Sequence, residues 1–89
     1  MSKQSNEHLT VKILSPTQRL YEGDAISLSA NNKVGRFDVL AGHTNFFSIL
    51  TPSDVEVDTG AKHLTFPVAH GLIKVHNNEV TLYVDINAT

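Results

Sequence analysis

The stretch that decides the fold is Gly71-Leu72-Ile73-Lys74-Val75-His76-Asn77-Asn78-Glu79-Val80-Thr81-Leu82-Tyr83-Val84-Asp85-Ile86. Gly71, Ile73 and Val75 share one parity, and Val80, Leu82, Val84 and Ile86 share another. Successive strand side chains point to opposite faces, so each run reads as a strand with one buried face. Between them stand two asparagines, which tolerate the positive φ angles of a two-residue hairpin turn. The segment predicts a β-hairpin whose second arm is the most regular strand of the chain.

The same period extends toward the N-terminus. Leu64, Phe66 and Val68 share a side, and Pro67 among them points to an edge position or a bulge, because proline donates no ladder hydrogen bond. Val55 and Val57 alternate with Asp54, Glu56 and Asp58. Phe46 to Leu50 is a compact apolar run, and Val34 to Leu40 is extended. Ile26, Leu28 and Ala30 alternate with serines. Leu9, Val11 and Ile13 open the pattern before Ser15-Pro16-Thr17 ends it. Leu20-Tyr21 is a short apolar pair ahead of Glu22-Gly23-Asp24, which reads as a turn. Eight to ten short strands at this spacing predict an all-β sandwich or flattened barrel of about ten strands. It spans 9–86, with polar tails at 1–8 and 87–89. No window carries a helical apolar stripe, so no helix longer than one turn is expected.

The 89 residues make one domain, which buries only roughly 60–65% of its unfolded surface. Hydrophobic residues at 40% and charged residues at 18% suit a folded chain. A formal charge of −2 with dispersed basic residues gives no footprint for nucleic acid. No run approaches 18 apolar residues, and Met1 to His8 lacks an apolar or Arg-rich leader pattern. Without cysteine, thiolate chemistry and cysteine-based metal sites are excluded, and an intracellular setting is expected.

Catalytic constellations find no support in the spacing. The five histidines form neither H-x-H nor H-E-x-x-H, so no metal or other cofactor is expected. No G-x-S-x-G elbow presents a serine. Asp54, Glu56 and Asp58 share a strand face that the intervening valines mark as the solvated one. The glycines are scattered among turns, and none feeds a helix N-terminus to cradle phosphate. The chemistry points to a binding or structural module without catalytic residues. One segment exceeds a plain hairpin: Val34 to Phe47 carries two glycines, His43 and a double aromatic in a single strand–loop–strand.

Several of these stretches together resemble a known family. Leu9-Thr10-Val11-Lys12-Ile13-Leu14-Ser15-Pro16, then Leu20-Tyr21-Glu22-Gly23, then the G-x-F-D-V-L-A-G-H block from Gly35 to His43, are similar to the epsilon subunit of F-type ATP synthases. Val68 to Val75 followed by Val80 to Val84 is similar to the end of that family's sandwich, and the match runs in register from about Leu9 to Asp85. The resemblance implies a non-catalytic rotor subunit of the central stalk. One face of the sandwich would bind the gamma subunit, one end would bind the c-ring, and the membrane would be reached only through that ring. It implies a place on the cytoplasmic face of the bacterial plasma membrane. Carried over by position, Leu20, Tyr21 and Phe46 are the expected gamma contacts, with Leu20 and Tyr21 partly exposed. Asn32, Lys33 and Gly35, and Gly42, His43 and Thr44, are the expected c-ring contacts.

The sequence departs from the family pattern at three places. Asn45 stands where relatives often have proline. Lys33-Val34 stands where an acidic residue is common. The chain ends at Thr89, before the helical hairpin by which family members restrain ATP hydrolysis, so that property is not carried over. The competing reading is a stand-alone β-sandwich module for a small ligand or peptide.

Overall fold

A computed structural model describes residues 8–42 and 45–85. Period-two patterning produces nine strands among the described residues, and no helix is found there. They are β1 (Leu9–Leu14), β2 (Arg19–Ala25), β3 (Ser27–Asn32), β4 (Gly35–Leu40), β5 (Phe46–Leu50), β6 (Ser53–Asp58), β7 (His63–Val68), β8 (His70–His76) and β9 (Glu79–Asp85). A five-stranded sheet has the order β2-β1-β9-β8-β5, and a four-stranded sheet the order β4-β3-β6-β7. Every pairing is antiparallel except β1 with β9. Nine strands stand where about ten were expected. Ile86, at the predicted end of the last strand, lies outside the described residues.

The two sheets bury their facing sides. Leu9, Val11, Ile13, Ile73, Val75, Val80, Leu82 and Val84 from the larger sheet meet Leu28, Ala30, Val39, Val55, Val57 and Val68 from the smaller. Burial of this apolar surface, at about 25 cal/mol per Å², is the main force holding the layers together. Two aromatic pairs close the open sides. Tyr21 on edge strand β2 meets Phe66 on β7 with centroids 6.2 Å apart. Phe46 on the opposite edge strand, β5, meets Phe37 on β4 edge-to-face at 5.7 Å.

The turn chemistry agrees with the predicted hairpin. Asn77 and Asn78 have φ of 50° and 65°, joining β8 to β9. Pro67 lies on β7, an edge strand, as its missing amide requires. One turn was misplaced: Glu22-Gly23-Asp24 is the middle of β2, paired with Val11 and its neighbours on β1. Glycine serves a different purpose there. A Cβ on Gly23 would lie 3.0 Å from the Tyr21 hydroxyl, so the missing side chain makes room for that ring, whose hydroxyl donates to the Asp24 carbonyl at 2.8 Å.

Candidate functional site

Along an antiparallel meander the connections alternate between the two ends of the sandwich. The β3–β4 turn at Lys33-Val34 therefore lies at one end, and the β4–β5 loop beginning at Gly42 lies at the other. The two predicted c-ring segments are not brought together. His43 and Thr44 lie outside the described residues.

Each end is built by asparagines. At the first, the Asn32 side-chain oxygen accepts from the amides of Val34 at 2.9 Å and Gly35 at 3.2 Å, and its nitrogen donates to Ser48 Oγ at 3.1 Å. This holds the turn against β5 and pushes Val34 outward, where it is 95% exposed. Gly35 follows with φ of 142°, in the region that favours glycine. At the second end, the Gly42 amide donates to Asn78 Oδ1 at 2.8 Å, and the Asn77 amide donates to Asn45 Oδ1 at 2.9 Å. These two bonds tie the loop to the β8–β9 turn. Asn45, where relatives often carry proline, thus has a bonding role.

The three predicted gamma contacts pack inward. Leu20, Tyr21 and Phe46 are half-buried against the core. Leu20 and Tyr21 are consecutive, so on a regular strand they would face opposite sides. A one-residue bulge prevents that: Ile13 pairs with Tyr21 and Leu14 with Arg19, leaving Leu20 unpaired. The bulge lets both side chains reach the core. Both side chains nevertheless remain partly exposed, as expected of the pair.

The large apolar side chains that are most exposed lie elsewhere, and three of the six among the described residues stand on the outer face of the five-stranded sheet. Ile49 is 68% exposed, Phe47 61% and Tyr83 49%. Ile49 pairs with Leu72, Leu72 with Tyr83, and Tyr83 with Leu14. All four have the parity opposite to the core, so they form one row across β5, β8, β9 and β1. Their signal was in the sequence as doubled apolar residues, Phe46-Phe47, Ile49-Leu50, Leu72-Ile73 and Leu82-Tyr83. A strand with two apolar neighbours has something apolar on both faces.

The outer face of the four-stranded sheet is of opposite character. Ser29 Oγ donates to Asp38 at 2.6 Å, and Arg36 pairs with Glu56 at 3.2 Å and with Asp38 at 3.6 Å. Asp54, Glu56 and Asp58 face the same way, which is the solvated face read from the sequence. His8, His63 and His70 each stand beside a carboxylate, Asp24, Asp58 and Asp85 respectively. No group of three or more metal-ligating side chains is found among the described residues. No helix there is long and apolar enough to cross a membrane.

Comparison with known proteins agrees with this architecture. Residues 8–87 match the family model described as ATP synthase, Delta/Epsilon chain, beta-sandwich domain. The ATP synthase epsilon chain of Clostridium perfringens (strain SM101) is 33% identical over 75 residues, covering 82% of this chain and 56% of that one. The epsilon chain of Clostridium botulinum (strain Alaska E43) is 31% identical over 74 residues, covering 82% and 55%. The chain thus spans about half the length of the curated relatives it matches. Among solved structures, a chain of the Euglena gracilis mitochondrial ATP synthase OSCP/F1/c-ring assembly superposes with a TM-score of 0.83. It is 17% identical, with coverage of 94% of this chain and 54% of that chain, a likeness of fold. A chain of the Tetrahymena thermophila ATP synthase central stalk and c-ring gives 0.76 at 14% identity, covering 98% and 67%. The inward packing, the strand order and the match over 8–87 lead to one conclusion: this chain belongs to the ATP synthase delta/epsilon-chain β-sandwich family.

Proposed function

We propose that the chain is a non-catalytic component of the central stalk of a rotary, proton-translocating ATP synthase, linking the gamma subunit to the c-ring. The observation that carries this reading is the family match across nearly the whole sandwich. A rigid two-layer body with different outer faces suits the transmission of torque without chemistry of its own. In a bacterium its place would be the cytoplasmic face of the plasma membrane, held there through the ring.

Only one end of the sandwich can face the ring. We place the Lys33-Val34 end there, because Val34 and Lys33 project freely into solvent on an Asn32-braced turn. At the opposite end, the Gly42 amide and the Asn77 amide are already engaged by asparagines. Co-expression with the gamma and c-ring subunits of the same synthase, followed by pull-down, tests the coupling role. The native sequence has no cysteine, so single cysteines give an unambiguous second measurement. Lys33→Cys is expected to cross-link to the ring and Asn45→Cys is not; the reverse would turn the sandwich end for end.

A further inference from the structure

We infer that β5 is an open edge through which two copies of this chain pair, strand to strand about a twofold axis, when the chain is outside the stalk. The inference goes beyond the stalk reading and does not depend on it. An edge strand offers backbone donors and acceptors to any extended chain, and sequences blunt such edges with charge, proline or a bulge. This sandwich has four edges, β2 and β5 on the larger sheet and β4 and β7 on the smaller. Three of them are blunted. β2 carries Arg19, Glu22 and Asp24 and the bulge at Leu20. β4 carries Arg36 and Asp38, and β7 carries Pro67. The fourth, β5, reads Phe46-Phe47-Ser48-Ile49-Leu50, with no charge, no proline and no break in its register with β8. Phe47 and Ile49, 61% and 68% exposed, share its outward parity.

The strand complements itself. Residues directly opposite on antiparallel strands share a face, so outward residues must meet outward ones. Of the registers that satisfy this, the one using the whole strand places the axis at Ser48. Phe47 then lies beside Ile49 of the second copy, and Phe46 beside its Leu50. Aromatic and β-branched side chains make favourable cross-strand pairs. Lys74, the cation beside Phe47 on this face, sits one strand back on β8 and does not enter the seam. Asn32 reaches Ser48 Oγ at 3.1 Å from the opposite layer, below the plane of the sheet.

These features select a second copy as the occupant. It supplies an uncharged strand of matching parity by identity, and one twofold axis satisfies both edges at once. The other side of β5 is taken by β8, so each copy offers one such edge and the assembly closes at two. Pro52, just past the strand, has no amide hydrogen and stops the ladder there. Antiparallel pairing sets the Lys33-Val34 end of each copy beside the opposite end of the other. Pairing and seating on the ring therefore compete, and the dimer is a state of the free chain.

Sedimentation of the whole chain over a concentration series tests this. A seam one strand long is small, so a reversible dimer with a dissociation constant of roughly 10–100 μM is expected. Ile49→Lys puts a charge on the edge and is expected to weaken pairing at least 10-fold. Its thermal midpoint should change little, because the side chain is exposed. Tyr83→Lys, on the same outer face but two strands from the seam, is expected to leave the dimer intact. A wild type that stays monomeric throughout overturns the proposal, as does a dimer that survives Ile49→Lys. Loss of the dimer in Tyr83→Lys as well makes the contact face-to-face packing, and overturns the edge. The register has its own check, because facing Cβ atoms about 4.5–5.5 Å apart are near disulfide reach. Oxidising a mixture of Phe47→Cys and Ile49→Cys chains is expected to give the mixed dimer ahead of either like pair. Like pairs forming equally well overturn the axis at Ser48.

Discussion

Gly71 shows how little room single positions leave. It pairs with Val84 on the neighbouring strand, and a Cβ placed there would overlap the Tyr83 carbonyl oxygen and lie 2.9 Å from Val84 Cα. Those are backbone atoms of a central strand and cannot yield as a flexible side chain would. Gly71→Ala is therefore expected to destabilise the sandwich by about 1–3 kcal/mol, as overpacking does elsewhere. Denaturant unfolding checks this: the midpoint should fall with the slope unchanged. The control is Gly42→Ala, which has open space around its Cβ and only the cost of φ at 84°. That variant is expected to lose less, about 1 kcal/mol. In the sequence, Gly71 reads as one more member of a strand pattern. Its close approach to β9 depends on the register between strands, which alternation alone does not specify.

Strands were legible where the pattern had one apolar face, and less so where it had two. β8, β9 and the asparagine turn between them follow from parity and turn chemistry alone. β2 does not, because its sequence places a glycine between two acids, and glycine in a strand looks the same as glycine in a turn. What makes it a strand is long-range: pairing with β1, and the Tyr21 ring lying over Gly23. The bulge at Leu20 was hidden for the same reason, since a register shift belongs to two strands at once. It has a measurable consequence. Because Leu20 and Tyr21 pack against the core, the double change to alanine is expected to cost about 2 kcal/mol or more. For a domain of this size that lowers the thermal midpoint by about 8–16 °C. Affinity for gamma, measured below that temperature, should change less than in Ile49→Glu, which puts a charge on the exposed apolar face. Tyr21→Phe separates the parts: it keeps the Phe66 contact and removes only the hydroxyl bond to Asp24, worth about 1 kcal/mol.

The whole molecule is a sandwich with two unlike outer surfaces, and that asymmetry was only half visible beforehand. Asp54, Glu56 and Asp58 announced the charged face through their spacing. The apolar row stayed hidden, because its four members come from four strands and meet only through the sheet order β1-β9-β8-β5. The asymmetry predicts where a bound partner leaves its mark. Oxidative footprinting suits this chain, since its aromatic side chains are distributed between the surfaces and the interior. Phe47 and Tyr83 stand on the apolar outer face of the five-stranded sheet, whereas Phe37 and Phe66 lie half-buried between the layers. Binding of gamma is expected to protect Phe47 and Tyr83 several-fold. His63 stands on the charged sheet and is exposed, so it should react as in the free chain. Half-buried Phe37 and Phe66 should react slowly with or without gamma, because the core already shields them. A general tightening of the domain would protect all of these positions together. Protection of His63 alone would place the partner on the charged sheet, where Arg36, Asp38 and Glu56 already satisfy one another. Surface pairs of that kind contribute roughly 0–1 kcal/mol, and covering them removes solvent from charges that gain no new partner. The apolar row Ile49–Leu72–Tyr83–Leu14 carries no such desolvation cost.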